Sequence, residues 1–254
     1  MKITFLGTGT SQGVPVIACK CPVCLSNDPK DKRLRTSLLI TGVNTTVVMD
    51  TGPDFRQQML RENVQNLDAV VFTHEHRDHI AGLDDIRAYN FVHQRPMEVF
   101  TEERVLTALK YEYPYIFAEK KYPGIPKINV HLIDQEEFSV GDLRFIPIRV
   151  MHYHLPVLGF RIGDFAYITD ANFISEQEKE KLYGVKYFII NALRREKHVS
   201  HFSLDEAVSL IREISPRRAF LTHLSHQIGC YKDLQKELPA HITVAYDGLS
   251  FEVA

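Results

Sequence analysis

Short apolar runs, broken at regular intervals by glycine, proline, asparagine or aspartate, give this chain its character. Residues 2–6, 37–41, 45–50, 69–72, 98–100, 127–133, 143–150, 157–162, 165–169, 187–191, 218–221 and 241–246 read as strands. Tight turns are expected at Gly42-Val43-Asn44, Gly141-Asp142 and Gly163-Asp164. Helical signals fall between them. Asp50-Thr51-Gly52-Pro53 places proline at a first helical position and predicts a helix to about residue 63. Residues 80–91 read as a second helix, and Thr101-Glu102-Glu103 opens another with acid in its first turn. Ser175-x-x-Glu178 and Ser203-x-x-Glu206 are capping boxes. The second precedes an apolar stripe, Leu204, Ala207, Val208, Ile211 and Ile214. A last helix precedes the final strand. The class is α/β, with antiparallel hairpins in both halves.

At 254 residues the chain has room for one large domain, taken here as 1–254, and shows no repeat, linker or low-complexity run. A net charge of -2 argues against a nucleic-acid polymer or an anionic membrane as partner. The opening Met1-Lys2-Ile3-Thr4-Phe5-Leu6-Gly7 reads as a strand rather than a signal peptide, and no apolar stretch reaches membrane-spanning length. A cytoplasmic location is expected, where the four cysteines stay reduced and serve as metal ligands or buried thiols.

Chemistry concentrates in His74-Glu75-His76-Arg77-Asp78-His79, directly after the apolar run at 69–72. Two imidazoles two residues apart project to one side of an extended chain, and Asp78 and His79 follow where the chain must turn. Such a loop can hold two cations side by side. It is not the His-Glu-x-x-His protease helix, because position 78 is aspartate. His152, Asp170 and His223 each sit just past a predicted strand, so their side chains should converge on one sheet edge. The glycine-rich stretch at 7–15 lacks the lysine of a phosphate-binding P-loop. Cys19-x-Cys21-x-x-Cys24 offers three thiolates for a tetrahedral structural zinc, with His226 as fourth ligand and Cys230 as its competitor. Segment 111–126, rich in tyrosine and proline, reads as a flap over the site or a contact in a homodimer; an ordinary surface loop fits it equally well.

With its order and spacing, the set His74-x-His76-x-Asp78-His79, His152, Asp170 and His223 resembles the metallo-β-lactamase superfamily. The resemblance implies an αββα sandwich. It assigns His74, His76 and His152 to one ion, Asp78, His79 and His223 to a second, and Asp170 as the bridge. Imidazole and carboxylate ligands suit two zinc or manganese ions, which acidify a bridging water into a nucleophile near neutral pH. Redox relatives carry glutamate where this chain has His76, which favours hydrolysis.

The cysteine pattern and Gly82-Leu83-Asp84-Asp85-Ile86-Arg87 further resemble phosphoribosyl 1,2-cyclic phosphate phosphodiesterases of the carbon–phosphorus lyase pathway type. Their structural zinc pins the N-terminal loop. That likeness implies a small anionic cyclic phosphate as substrate, with Asp78 and His201 as catalytic residues and His201 as proton donor. His198 is the rival donor, with simple exposure as its other reading, and Arg194, Arg195 and Lys197 could hold phosphate, with solvated surface charge the other reading for at least one of them. Gly7-Thr8-Gly9-Thr10, Arg35-Thr36-Ser37 and His201-Phe202-Ser203 also resemble the tRNA-processing ribonuclease Z enzymes. Those carry a long arm between the third and fourth metal motifs, and only eighteen positions separate His152 from Asp170 here. The same ligand set would also serve a short-oligonucleotide nuclease, a lactonase or a thioesterase of this fold.

Overall fold

A computed structural model of the chain describes residues 1–120 and 122–253. Its strands are β1 (Lys2–Gly7), β2 (Ser37–Thr41), β3 (Thr46–Met49), β4 (Ala69–Val71), β5 (Met97–Thr101), β6 (Ile128–Leu132), β7 (Phe138–Val140), β8 (Leu143–His152), β9 (Leu155–Ile162), β10 (Phe165–Ile168), β11 (Phe173–Ile174), β12 (Tyr187–Asn191), β13 (Arg218–Thr222), β14 (Ile242–Val244) and β15 (Ser250–Glu252). They form two sheets. One runs β15-β1-β2-β3-β4-β5-β6; the other runs β11-β8-β9-β10-β12-β13-β14, with β7 paired to β8.

The side-chain alternation of each strand divides the apolar residues among three layers. Val47, Met49 and Val71 face inward and meet Phe145, Phe160, Tyr167 and Phe220 of the second sheet. Val48 and Val70, one position along, face outward beneath the helices Phe55–Arg61 and Glu103–Glu112. On the other side Val150, Ile190 and Leu221 pack against the helix Leu204–Ile214 through Ala207, Val208, Ile211 and Ile214. Being covered on both faces, the central strands can be apolar throughout. Each fully buried aliphatic side chain contributes about 1.5–3 kcal/mol. The result is an αββα sandwich.

The helix expected at 80–91 is broken into Arg77–Ile80, a 3₁₀ turn Leu83–Ile86 and Arg87–His93. Gly82 causes the break. Its N–H donates to Thr51 O at 2.7 Å instead of continuing a helical ladder, and a Cβ there would lie 2.1 Å from Gly52 O. The helix expected from residue 50 starts only at Phe55. Asp50 adopts a left-handed φ of 64°, and the Asp54 carboxylate accepts from Arg35 N and pairs with its guanidinium at 3.0 Å.

Segment 111–126 is more ordered than its composition indicates. Tyr111 falls in the last turn of the Glu103–Glu112 helix, and Pro114–Phe117 forms a further turn of helix. Tyr113 donates its hydroxyl to Ile80 O and Tyr115 donates to Asp84, so this part buttresses the turn after the His loop from behind. Position 121 lies outside the described residues. The capping box at Ser203 is complete, whereas at Ser175 only half forms. Glu178 turns instead to Lys181 Nζ and to Arg149 N. No helix among the described residues is long and apolar enough to cross a membrane.

Candidate metal centre

The two sheets bring their strand ends together at one edge. Asp50 follows β3, Thr73 and His74 follow β4, His152 ends β8, Asp170 follows β10, and His223 follows β13. Three of these residues take left-handed backbone angles: Asp50, Asp170 with φ 50° and His223 with φ 55°. Non-glycine residues held this way cost on the order of 1–3 kcal/mol each and cluster at functional sites. Sharp turns at the strand ends swing these side chains toward one another. Gly52 allows the close approach this demands, since a Cβ there would lie 2.2 Å from Asp78 O.

Hydrogen bonds fix the imidazole tautomers. The buried Asp50 carboxylate can only accept, and it takes bonds from Thr73 N at 2.8 Å, Thr73 Oγ1 at 2.9 Å and His79 Nδ1 at 2.8 Å. Thr73 has spent its hydroxyl proton on Asp50, so Oγ1 accepts from His74 Nδ1 at 2.9 Å. His152 Nδ1 donates to Ser200 O at 2.6 Å. With Nδ1 so engaged, Nε2 is the nitrogen that each of these rings presents to the site. His74 Nε2, His79 Nε2 and His223 Nδ1 are buried with no hydrogen-bond partner. Unpartnered buried nitrogens of this kind fit a cation.

Asp170 is the hub. Its Oδ2 lies 3.2 Å from His79 Nε2 and 3.1 Å from His223 Nδ1, and its Oδ1 lies 3.1 Å from His201 Nε2. Asp78 Oδ2 is 3.3 Å from His79 Nε2. Ligand atoms of Asp78, His79, Asp170 and His223 lie within 4.8 Å of one another. On the other flank His74, His76 and His152 form a cluster, with ring centroids 4.7 Å apart for His74–His76, 5.0 Å for His76–His152 and 5.9 Å for His74–His152.

Electrostatics divide the same way. Burial holds the His74 and His152 imidazoles below the ordinary histidine range and pushes His223 down to about 4. Burial also opposes a charged His79, but Asp170, Asp78 and Asp50 around it outweigh that and hold it well above the ordinary range. Burial would raise the Asp170 carboxyl; His223 and His79 keep it well below the usual carboxylate range. The pocket thus stabilises positive charge between its carboxylates and keeps the flanking imidazoles neutral, the form in which they ligate metal.

The second cluster lies at the loop after β1. Cys19 Sγ is 3.4 Å and Cys21 Sγ 3.3 Å from His226 Nδ1, and with Cys24 the four ligand atoms lie within 4.8 Å of one another. A hydrogen bond from Cys24 N, aided by His226, lowers the Cys21 thiol to about 6. Cys230 stands outside this set, packed beside it at the start of the helix Tyr231–Glu237.

His201 is nearly buried and reaches the site through Asp170, while its Nδ1 faces Ser200 Oγ at 3.1 Å and His198 Nδ1 at 3.3 Å. His198 meets the cluster through His201, whose ring centroid is 5.2 Å away. Two of the basic residues named as phosphate candidates are engaged elsewhere. Arg195 pairs with Glu237 at 2.8 Å and donates to Ile228 O, and Arg194 donates to the carbonyls of Glu196 and Lys197 in its own loop. Lys197 lies 3.7 Å from Glu206 on the exposed surface.

Sequence reasoning missed Asp50, Thr73, Asn191 and Ser200. Asp50 carried a usable signal, because it follows a strand as Asp170 does; its neighbours Gly52-Pro53 drew it into a helix start instead. Asn191 ends β12 and brackets Ala171, accepting from its N–H at 3.0 Å and donating to its carbonyl at 2.9 Å, which fixes the turn carrying Asp170.

Residues 45–224 match the family model described as a β-lactamase superfamily domain. A solved structure described as a new diphosphatase from the PhnP family is 37% identical, covers 100% of this chain and 98% of its own, and superposes with a TM-score of 0.93. Zn²⁺-bound PqqB from Methylobacterium extorquens is 18% identical with complete coverage of both chains and a TM-score of 0.79, a likeness of fold. A curated relative from Porphyromonas gingivalis named octanoyltransferase is 41% identical over 252 residues, which is 98% of this chain and 51% of that protein. The chain therefore spans about half the length of that relative. By family match, fold and identity, the chain belongs to the β-lactamase superfamily, has the metallo-β-lactamase fold of metal-dependent hydrolases, and falls within the PhnP family.

Proposed function

We propose that this chain is a dinuclear metal-dependent phosphodiesterase acting on small cyclic phosphodiesters. The observation that carries the reading is the position of Asp170, whose one carboxylate faces His79 and His223 with Oδ2 and His201 with Oδ1. In this reading His74, His76 and His152 would hold one ion, Asp78, His79 and His223 would hold the other, and the Asp170 carboxylate would serve both. Two divalent ions, zinc or manganese, would supply Lewis acidity and a water acidified to near-neutral pKa. Asp50 keeps His79 in the ligating tautomer, Thr73 does so for His74, and Ser200 O does so for His152. Cys19, Cys21, Cys24 and His226 would hold a structural zinc with no open position.

Water adds its oxygen to phosphorus, one ester P–O bond breaks, and the departing oxygen needs a proton. All the ligand imidazoles are committed, which leaves His201 as donor. Its Nε2–H donates to Asp170 Oδ1 at the edge of the site, so it carries a proton where the leaving group departs.

A long nucleic-acid-gripping arm has no place between His152 and Asp170, because β9, one tight turn and β10 fill that interval. This supports a small substrate over tRNA. The octanoyl transfer named for the Porphyromonas relative describes a protein about twice as long, and nothing in the His and Asp cluster favours it over hydrolysis.

The test is a leaving-group comparison. His201→Ala should lower turnover of a ribose cyclic phosphate by about 10²–10⁴ and that of bis(p-nitrophenyl) phosphate much less, since p-nitrophenolate departs unprotonated. Equal losses with metal content intact would remove His201 as donor. Turnover of neither diester by the metal-loaded parent would overturn the reading itself.

A further inference from the structure

Thr169 has no part in metal ligation or proton donation, yet it is fully buried directly before Asp170. It follows β10, whose Phe165 and Tyr167 face the core between the sheets, and the alternation of an extended chain puts Thr169 on that same side. Valine has nearly the same shape and would bury there without a polar atom, whereas a buried hydroxyl is costly unless it is hydrogen-bonded. Thr169 gives its hydroxyl proton to Asp170 Oδ2 at 2.5 Å, the short length of a bond to a charged oxygen. Oδ2 is also the oxygen that faces His79 and His223, while Oδ1 accepts from His201 Nε2 at 3.1 Å. Each carboxylate oxygen has two lone pairs, so both can take these bonds and still serve a cation. Tyr167 adds a buried hydroxyl with no hydrogen-bond partner on the same side. Burial, reinforced by Asp50 and Asp170, holds that phenol well above its ordinary range, so it stays protonated and brings no further anion beside Asp170.

Resting on the proposed two-ion centre, we infer that Thr169 is the positioning residue of the shared carboxylate, its hydroxyl fixing the rotation of the Asp170 carboxyl group so that Oδ2 stays turned toward His79 and His223. Asn191 fixes the backbone of this turn by bracketing Ala171, but it does not reach the carboxyl plane. The plane needs donors on the oxygens themselves, and Thr169 and His201 supply one at each. A ligand held in this way is ordered before a cation arrives, so binding loses less side-chain freedom. The two donors differ in permanence. His201 is the proton donor of the proposed reaction, and when its Nε2 proton leaves, the bond to Oδ1 is lost. Thr169 takes no part in that transfer, so its bond to Oδ2 persists through the step and keeps the carboxylate from turning.

The experiment removes the hydroxyl in Thr169→Val and Thr169→Ala and keeps it in Thr169→Ser. Chelator competition on the manganese-loaded protein should show the more weakly held centre ion bound about 10- to 100-fold less tightly in the valine and alanine variants. Thr169→Ser should recover most of the parent affinity. The absorption spectrum of the cobalt(II)-substituted protein gives a second readout without turnover: it should change in the two hydroxyl-free variants and match the parent in Thr169→Ser. At saturating manganese, kcat for bis(p-nitrophenyl) phosphate should fall in Thr169→Val while KM holds. Parent-like affinity and spectrum in Thr169→Val, or equal losses in Thr169→Ser and Thr169→Val, would overturn the assignment. Failure of both hydroxyl-free variants to fold would make Thr169 a folding residue and overturn it too. Binding of fewer than two centre ions by the parent would bring down the two-ion centre on which it rests. Inertness of a parent holding both ions toward every phosphodiester would instead bring down the phosphodiesterase reading, and the affinity and spectral results would still decide the part played by Thr169.

Discussion

His79 Nδ1 lies 2.8 Å from Asp50 Oδ2, and both side chains are shut away from solvent. Asp50 lies outside every ligand motif, yet it decides which nitrogen of His79 faces Asp170. Replacing Asp50 by Asn puts an amide donor among three groups that all donate: His79 Nδ1–H, Thr73 N–H and Thr73 Oγ1–H. Asp50→Asn should weaken binding of the ion at Asp78, His79 and His223 by about 10- to 100-fold, as loss of an outer partner of a metal-binding histidine does. Titration with a metal-competing chelator measures it. Unchanged affinity in the folded variant would show that Asp50 serves folding alone.

Asp170→Ala removes the carboxylate shared by both halves of the site. Elemental analysis should find both centre ions depleted, and diester turnover should fall with them. Two ions retained with normal turnover would contradict the assignment of Asp170 as bridge.

The cysteine cluster should behave differently. A closed tetrahedral zinc site contributes to folding and takes no part in reaction chemistry. Cys21→Ser should release about one zinc per chain and lower the melting temperature, while the fraction that stays folded retains most of its turnover. Unaltered stability with lost activity would place these cysteines in the catalytic centre.

Acidity gives a prediction with two signs. His223, pushed down to about 4, and His74 and His152, also lowered by burial, stay neutral in the fold while the unfolded chain takes up protons near the ordinary histidine value. Their contribution is present above about pH 6.5 and is lost as pH falls toward 4. His79 runs the other way: held well above the ordinary value by carboxylates, it stabilises fully below about pH 6.5 and loses that as pH rises through its folded value. The metal-free protein should therefore melt highest near pH 6.5 and fall off on both sides. Metal should flatten the alkaline side, because a cation replaces the proton between the carboxylates. A melting temperature of the metal-free form that climbs steadily from about pH 5 to about pH 9 would contradict this electrostatic description.

Much of the fold and the site was legible in the chain. Continuous apolar runs made β3, β4 and β13 recognisable, and the expectation that site residues follow strands led to His74, His152, Asp170 and His223, which the structure gathers at one edge. The misreadings share a cause. Around residues 50–54 and 80–91, local signals of proline, glycine and amphipathic spacing favoured helix, but tertiary bonds between the two segments, Thr51 N to His79 O and Gly82 N to Thr51 O, took the backbone groups a helix would have used. Arg195 looked free to bind phosphate because Glu237, forty-two positions away, gives no sign in sequence of lying beside it. The short strands β7, β11 and β15 are too brief to show a period and exist through pairing with β8 and β1.

A substrate panel decides whether the cluster around Asp170 hydrolyses small phosphodiesters. The purified protein, loaded with zinc or manganese, is offered a 2′,3′-cyclic nucleotide, bis(p-nitrophenyl) phosphate, a lactone and an acyl thioester, with Asp170→Ala as the blank. Turnover of the two diesters should depend on added metal and vanish in the blank, and the lactone and thioester should show none above the blank. Efficient cleavage of the lactone or thioester with inert phosphodiesters would contradict the assignment.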